Sequence, residues 1–171
     1  SGAPLEQVPL ADLARQAVQE AALAAQQRGI DLGLAPLAAD MQRATVPGRA
    51  QALAILLRNL LDNAIKYTPQ GGRVDVALQA APGQLVLQVD DSGPGIAPEE
   101  RERVLQRFHR GPQAQADGTP VAGSGLGLAI ADSIARMHGT RLVLGSAPQL
   151  GGLRVSLSLA CAPAQEERTG T

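Results

Sequence analysis

A chain of 171 residues is long enough for one domain with a proper core and too short for two of ordinary size. Lys and Arg number 15 against 16 Asp and Glu, so there is no basic field to favour nucleic acid or an anionic membrane, and any anion must be bound locally. The longest apolar run, Ala52 to Leu57, falls far below the roughly 20 residues of a membrane span, and the lone Cys161 excludes an internal disulfide and a multi-cysteine metal cluster, so a soluble piece without direct membrane contact is expected.

From Leu10 to Arg28 the spacing of Leu13, Ala17, Val18, Ala21 and Leu23 or Ala24 predicts a helix, stopped by Gly29. Ile30, Leu32 and Leu34 then alternate with Asp31 and Gly33 as in a strand with one buried face, which Pro36 closes. After a short extended piece near Arg43 to Val46, Pro47 is expected to open a second helix carrying Leu53, Leu56, Leu57, Leu60, Leu61 and Ala64. Thr68, Pro69, Gly71 and Gly72 form a turn, and Val74, Val76 and Leu78 mark the next strand. A hairpin at Pro82 and Gly83 leads into the strand Leu85 to Asp91, then Ser92-Gly93-Pro94-Gly95. Pro98-Glu99-Glu100 starts a helix that should reach about Phe108.

Residues 111–122, GPQAQADGTPVA, lack any period and read as a mobile loop. Ser124 is placed to cap a helix from Gly125 to His138, stopped at Gly139, and two strands follow near Arg141 to Gly145 and Leu153 to Leu159. The polar tail from Ala162 to Thr171 is expected to be disordered, leaving residues 1–161 as the folded domain. About three long helices and a short one stand against five or six strands in mostly hairpin succession. That order predicts an α+β fold: one largely antiparallel sheet with helices on one face.

Three stretches carry chemistry. Advancing about 100° per residue puts Leu53, Leu57, Leu60 and Ala64 on one stripe of the second helix, with Asn59, Asn63, Lys66 and Tyr67 on its flank. An isolated Asn pair on a helix is more often simply solvated. Here two amide carbonyls, an ammonium and a ring together offer a metal ligand, a phosphate contact and a stacking surface, the needs of a Mg-nucleotide. In the strand before the first glycine segment, Leu85, Leu87, Val89 and Asp91 share one otherwise apolar side, so Asp91 should face inward. Such a carboxylate needs a donor: a ligand amine is one candidate, and a satisfied structural Asp at a strand end is the other reading. Gly93 and Gly95 allow close approach to a flat ligand.

The third stretch, Gly123-Ser124-Gly125-Leu126-Gly127-Leu128, ends a loop and opens a helix, so its free N–H groups and positive dipole end suit phosphates. It is neither a P-loop, which ends in Gly-Lys-Ser or Gly-Lys-Thr, nor a dinucleotide fingerprint, which needs a preceding strand and Gly where Leu128 stands. Between these pieces, Phe108 could pin the root of the loop or be a plain core residue, while Arg110 could reach a phosphate.

In order, NLLDNAIKYTP (59–69), DDSGPGIAP (90–98), VLQRFHRG (104–111) and GSGLGLAIA (123–131) resemble the N, first-glycine, phenylalanine and second-glycine boxes of two-component sensor histidine kinases. The resemblance covers the ATP-binding catalytic domain from about Leu5 to Leu159, within the superfamily of gyrase, heat-shock chaperone and mismatch-repair ATPases. It implies the Bergerat-type ATP-binding fold, a two-layer α/β sandwich of a mixed, mostly antiparallel five-stranded sheet with about three helices on one face. It further implies ATP and Mg2+ as ligands, with Asn63 on the metal, Asn59 beside the phosphates, and Lys66 and Arg110 on phosphate. Tyr67 would stack near adenine, Asp91 would accept its amino group, and Gly93, Gly95, Ile96 and Phe108 would line the site. Gly123, Ser124, Gly125, Leu126, Gly127 and Leu128 would shape the phosphate end of a lid whose mobile part is 109–122. In that family the γ-phosphoryl group goes to a histidine on a separate dimerisation hairpin, which then serves a response regulator, in the cytoplasmic part of an inner-membrane sensor.

Three departures stand out. Leu105 replaces a frequent phenylalanine, and Pro47-Gly48 replaces an acidic residue at the start of the second helix, which puts that helix cap in doubt. Neither His109 nor His138 is followed by an acid as the usual acceptor is, so the chain is not expected to phosphorylate itself. Two other readings compete. A chaperone- or repair-type ATPase would need a water-activating Glu where Asn59 stands, and an amide is a poor base. A nucleotide-dependent regulator or anti-sigma-type serine kinase shares the ATP residues and is not separated by them.

Overall fold

The structure, a computed structural model, describes residues 5–109 and 126–161. The expected mobile loop 111–122, with Arg110, Gly123, Ser124 and Gly125, and the expected disordered tail from Ala162 to Thr171 lie outside the described residues. In chain order the elements are β1 Glu6–Pro9, α1 Leu10–Gln27, β2 Asp31–Leu34, β3 Thr45–Gly48, α2 Ala50–Tyr67, β4 Arg73–Ala81, β5 Gln84–Asp91, α3 Pro98–His109, α4 Leu126–Met137, β6 Val143–Ser146 and β7 Leu153–Ala160. A single 3-10 turn at Ala39–Gln42 buries Met41.

The main sheet has the order β2-β4-β5-β7-β6. Only β2–β4 is parallel; β4–β5, β5–β7 and β6–β7 are antiparallel, as the hairpin succession predicts. Alternation sets which side chains enter the core: Val74, Val76 and Leu78 from β4, Leu85, Leu87 and Val89 from β5, and Val155, Leu157 and Leu159 from β7 are all buried. Against them lie Leu53, Leu56, Leu57, Leu60, Leu61 and Ala64 of α2, so this helix buries a broad apolar face beneath the sheet. On the opposite side of the sheet the pair Asp90–Arg154 is bidentate, Nε to Oδ1 at 2.8 Å and Nη2 to Oδ2 at 2.8 Å, across neighbouring strands β5 and β7.

Two expectations require correction. Pro47 does not open α2: it lies in β3, and the helix begins at Ala50 after an extended Arg49 with φ −112° and ψ 106°. The reason is β1, a strand too short to show a period, which pairs with β3 so that Gln7 faces Pro47 in a two-stranded ribbon whose edges tolerate proline. With β1 and β3 the described strands number seven, against the five or six expected, although the main sheet holds five. Leu105, in place of a frequent phenylalanine, does pack against the core.

Candidate functional site

The flank of α2 appears where the helical spacing puts it. Asn59 and Asn63 are half-buried at the margin of the apolar face, and Lys66 and Tyr67 are exposed one turn on. Asn59 donates from Nδ2 to the carbonyl of Ile55 at 2.9 Å, which fixes its amide orientation and turns Oδ1 toward the start of α4. There a Cβ on Gly127 would lie 3.2 Å from that Oδ1, so the absence of a side chain lets α4 begin directly over Asn59. The Asn63 side chain makes no hydrogen bond among the described residues. The Lys66 ammonium stands 5.8 Å from the centre of the Tyr67 ring.

Asp91, at the end of β5, faces inward as alternation predicts and is 5 % exposed. Its Oδ1 accepts the N–H of Gly93 at 2.9 Å and of Leu153 at 3.0 Å, so both recorded bonds end on one oxygen and Oδ2 keeps its lone pairs. Burial raises its pKa above the ordinary carboxylate value, and the bonds from Leu153 and Gly93 pull the other way. Gly93 passes close to the end of α2: a Cβ there would come within 2.9 Å of the Tyr67 carbonyl. Gly95, at φ +71°, abuts Gly152 in the turn before β7, and Gly152 donates to the Asp91 carbonyl at 3.1 Å. A Cβ on Gly152 would overlap that carbonyl and Oδ1, so only glycine fits.

The described site residues lie along one side of α2. Asp91 and Gly93 sit at the C-terminal end of α2, and Asn59 with Gly127 sits eight residues back along it, about 12 Å at the helical rise of ~1.5 Å per residue. Ile96 packs at the core margin, and Leu128 is buried beneath the start of α4. Phe108 and Leu126 belong to α3 and α4, but their side chains are outside what is described, and Arg110, Gly123, Ser124 and Gly125 are wholly outside it.

Several contributors escaped the reading of the sequence. The Leu153 N–H and Gly152 come from 62 and 61 residues beyond Asp91, and the only hint was the pair Gly151-Gly152 before a strand. Arg101 ties the glycine segment down, donating from Nε to the Ile96 carbonyl at 3.1 Å and from Nη2 to Ser146 Oγ at 2.8 Å. The Ser92 hydroxyl accepts the Arg73 N–H at 2.8 Å, and Arg28 reaches the Lys66 carbonyl at 3.1 Å. No local pattern marks these as site residues.

Residues 48–163 match the profile of the histidine kinase-, DNA gyrase B- and HSP90-like ATPase family. The chain is 41 % identical over 152 residues to the sensor protein QseC of Escherichia coli K12, covering 89 % of this chain and 31 % of that protein. Among solved structures, the cytoplasmic segment of histidine kinase QseC matches at 30 % identity with a TM-score of 0.63, over 92 % of this chain and 79 % of that one. The ATP-binding domain of PrrB from Mycobacterium tuberculosis matches at 25 % identity with a TM-score of 0.72, over 94 % and 99 %. The chain thus spans less than a third of the length of the sensor protein it matches. With the asparagine flank beside Gly127, the inward Asp91 beside Gly93, and the profile covering all of them, the chain belongs to the histidine kinase-, DNA gyrase B- and HSP90-like ATPase family.

Proposed function

We propose that this domain binds Mg-ATP and delivers the γ-phosphoryl group to a histidine on a separate dimerisation hairpin of a larger sensor kinase, which then serves a response regulator. The observation that carries the reading is the polarity of the surface along α2. A buried carboxylate with one free oxygen marks the base end, and Asn59 under the start of α4, with Asn63 one turn on, marks the phosphate end. In that arrangement Asp91 Oδ2 accepts the exocyclic amine of adenine, while Gly93 and Gly95 let the flat ring lie against backbone. Tyr67, 41 % exposed, would cover the base on its open side.

The residues fit a magnesium ion carried by phosphates rather than a protein cage. Among the described residues no group of three or more His, Cys, Asp or Glu could hold a metal, whereas Asn63 offers one unengaged carbonyl oxygen. Bound there, Mg2+ would neutralise phosphate charge as it develops. Lys66 and Arg110 would add positive charge, and the first N–H groups of α4 would face the phosphate oxygens. Asn59 has no carboxylate to activate water, and its Nδ2 is engaged by Ile55. The site would therefore hold ATP until an external nucleophile arrives, with catalysis resting on positioning.

By its likeness to the cytoplasmic segment of histidine kinase QseC, the domain would act from the cytoplasmic side of such a sensor. The test is to mix the domain with Mg-ATP and its separately made acceptor hairpin. Acid-labile, alkali-stable phosphate on the hairpin is the expected product. Serine phosphate, or no transfer while ATP binds normally, would exclude histidine kinase activity and favour a serine kinase or a nucleotide-dependent regulator.

A further inference from the structure

The replaced acidic residue before α2 left a question about its cap, and the structure answers it from another helix. Arg49, at the N-cap of α2, makes no side-chain cap bond, and the first turn holds no acid. Instead its N–H donates to His138 Nε2 at 3.1 Å. His138 Nδ1 lies 2.8 Å from the Ile134 carbonyl, which can only accept, so Nδ1 carries the proton and Nε2 is the acceptor. An imidazole at the end of α4 thus does what an internal Glu does in a capping box. The departure that removed the acid also makes the room. A Cβ on Gly48 would lie 3.2 Å from both Cδ2 and Nε2 of His138, and 3.0 Å from Leu53 Cδ1.

The two helices run antiparallel, and α4 meets α2 at both of its own ends. His138 touches Arg49, while Gly127 sits on Asn59. Eleven residues of α4 separate its two contacts and ten of α2 separate theirs, spans of about 16 and 15 Å that agree within one residue's rise. A helix fixed at one end can still slide; fixed at both, it has one register. We propose that His138 is a positioning residue for the phosphate end of the nucleotide site: by accepting the Arg49 N–H it sets the axial register of α4 on α2, and so where the start of α4 stands over Asn59. Asp91 and its glycine segment are held by β5 and the turn before β7, so the base end does not depend on this tie.

This rests on the nucleotide reading above, and the experiment separates the two. The whole 171-residue chain is titrated calorimetrically with AMPPNP plus magnesium and, separately, with AMP. His138→Phe keeps the ring and removes the acceptor; His138→Gln restores an acceptor oxygen; Gly48→Ala pushes the ring aside while leaving it intact. With a cap's worth of register lost, His138→Phe should weaken Mg-AMPPNP about five-fold, with AMP within about two-fold of wild type. Gly48→Ala should follow His138→Phe, and His138→Gln should follow wild type. If His138→Phe or Gly48→Ala weakened both nucleotides alike, or His138→Gln behaved as His138→Phe, the positioning role would be overturned while the nucleotide site stood. If wild type bound neither nucleotide, the nucleotide reading itself would fall and the proposal with it.

Discussion

Replacing Asp91 by Asn separates what this residue does for the ligand from what it does to the fold. The amide keeps Oδ1, so the bonds from Gly93 at 2.9 Å and Leu153 at 3.0 Å survive. What changes is Oδ2, the free acceptor, which becomes an NH2 donor facing the donor amine of adenine. A hydrogen bond to a charged group contributes about 1.5–3 kcal/mol, so adenine nucleotides should bind roughly 10- to 150-fold more weakly, and by the same factor for AMP, ADP and ATP. Stability should move the other way. Burial raises the native pKa of Asp91 above its unfolded value, so the native state binds the proton more strongly. Stability therefore falls as pH rises from the unfolded value to the native one, and above that the full cost of the buried charge is present. Asp91→Asn removes that cost: its Tm at neutral pH should equal or exceed that of wild type, and the advantage should vanish below the ordinary carboxylate range near ~4. Calorimetric titration with the three nucleotides and thermal unfolding from acid to neutral pH measure both. Identical titration curves for variant and wild type would remove Asp91 from the base site, and a neutral-pH Tm well below wild type would refute the assignment of Oδ2 as the spare oxygen.

At the other end of the site, Asn63→Asp puts a negative charge beside the phosphates and should slow transfer to an added acceptor hairpin by about ten-fold or more, while AMP binding holds. Rapid-quench assay of phosphohistidine measures it; an unchanged rate would place the metal elsewhere. Gly152→Ala forces a methyl into the Asp91 carbonyl and should cost about 1–3 kcal/mol, roughly 2–12 °C in Tm, with adenine binding lost in parallel. An undisturbed Tm would mean that the turn yields freely. Arg154→Met leaves the largely buried Asp90 carboxylate without its partner and should cost about 1–3 kcal/mol by urea unfolding. Adding Asp90→Asn should recover most of that loss. No recovery would show that the arginine stem, not the ion pair, carries the effect.

The periodicities were enough to find most elements. An alternating run from Leu85 to Asp91 placed the carboxylate on the core side, and the leucines of α2 placed Asn59 and Asn63 at the edge of its buried face, because side-chain direction follows from local backbone geometry. Local signals failed where an element was too short to have a period. β1 spans four residues, and without it Pro47 reads as a helix start rather than half of a ribbon.

What the sequence by itself determined is the α+β class, the apolar faces and the residue types available at each end of the nucleotide surface. Only the tertiary structure decided which distant groups complete them. The parallel β2–β4 pairing, the Leu153 N–H on Asp91, the seat of Gly127 on Asn59 and the His138 cap on Arg49 each join residues at least 42 positions apart. A backbone N–H or a missing Cβ looks the same everywhere in a sequence. It acquires a role only when packing brings a partner within about 3 Å, and packing is settled by the whole core at once.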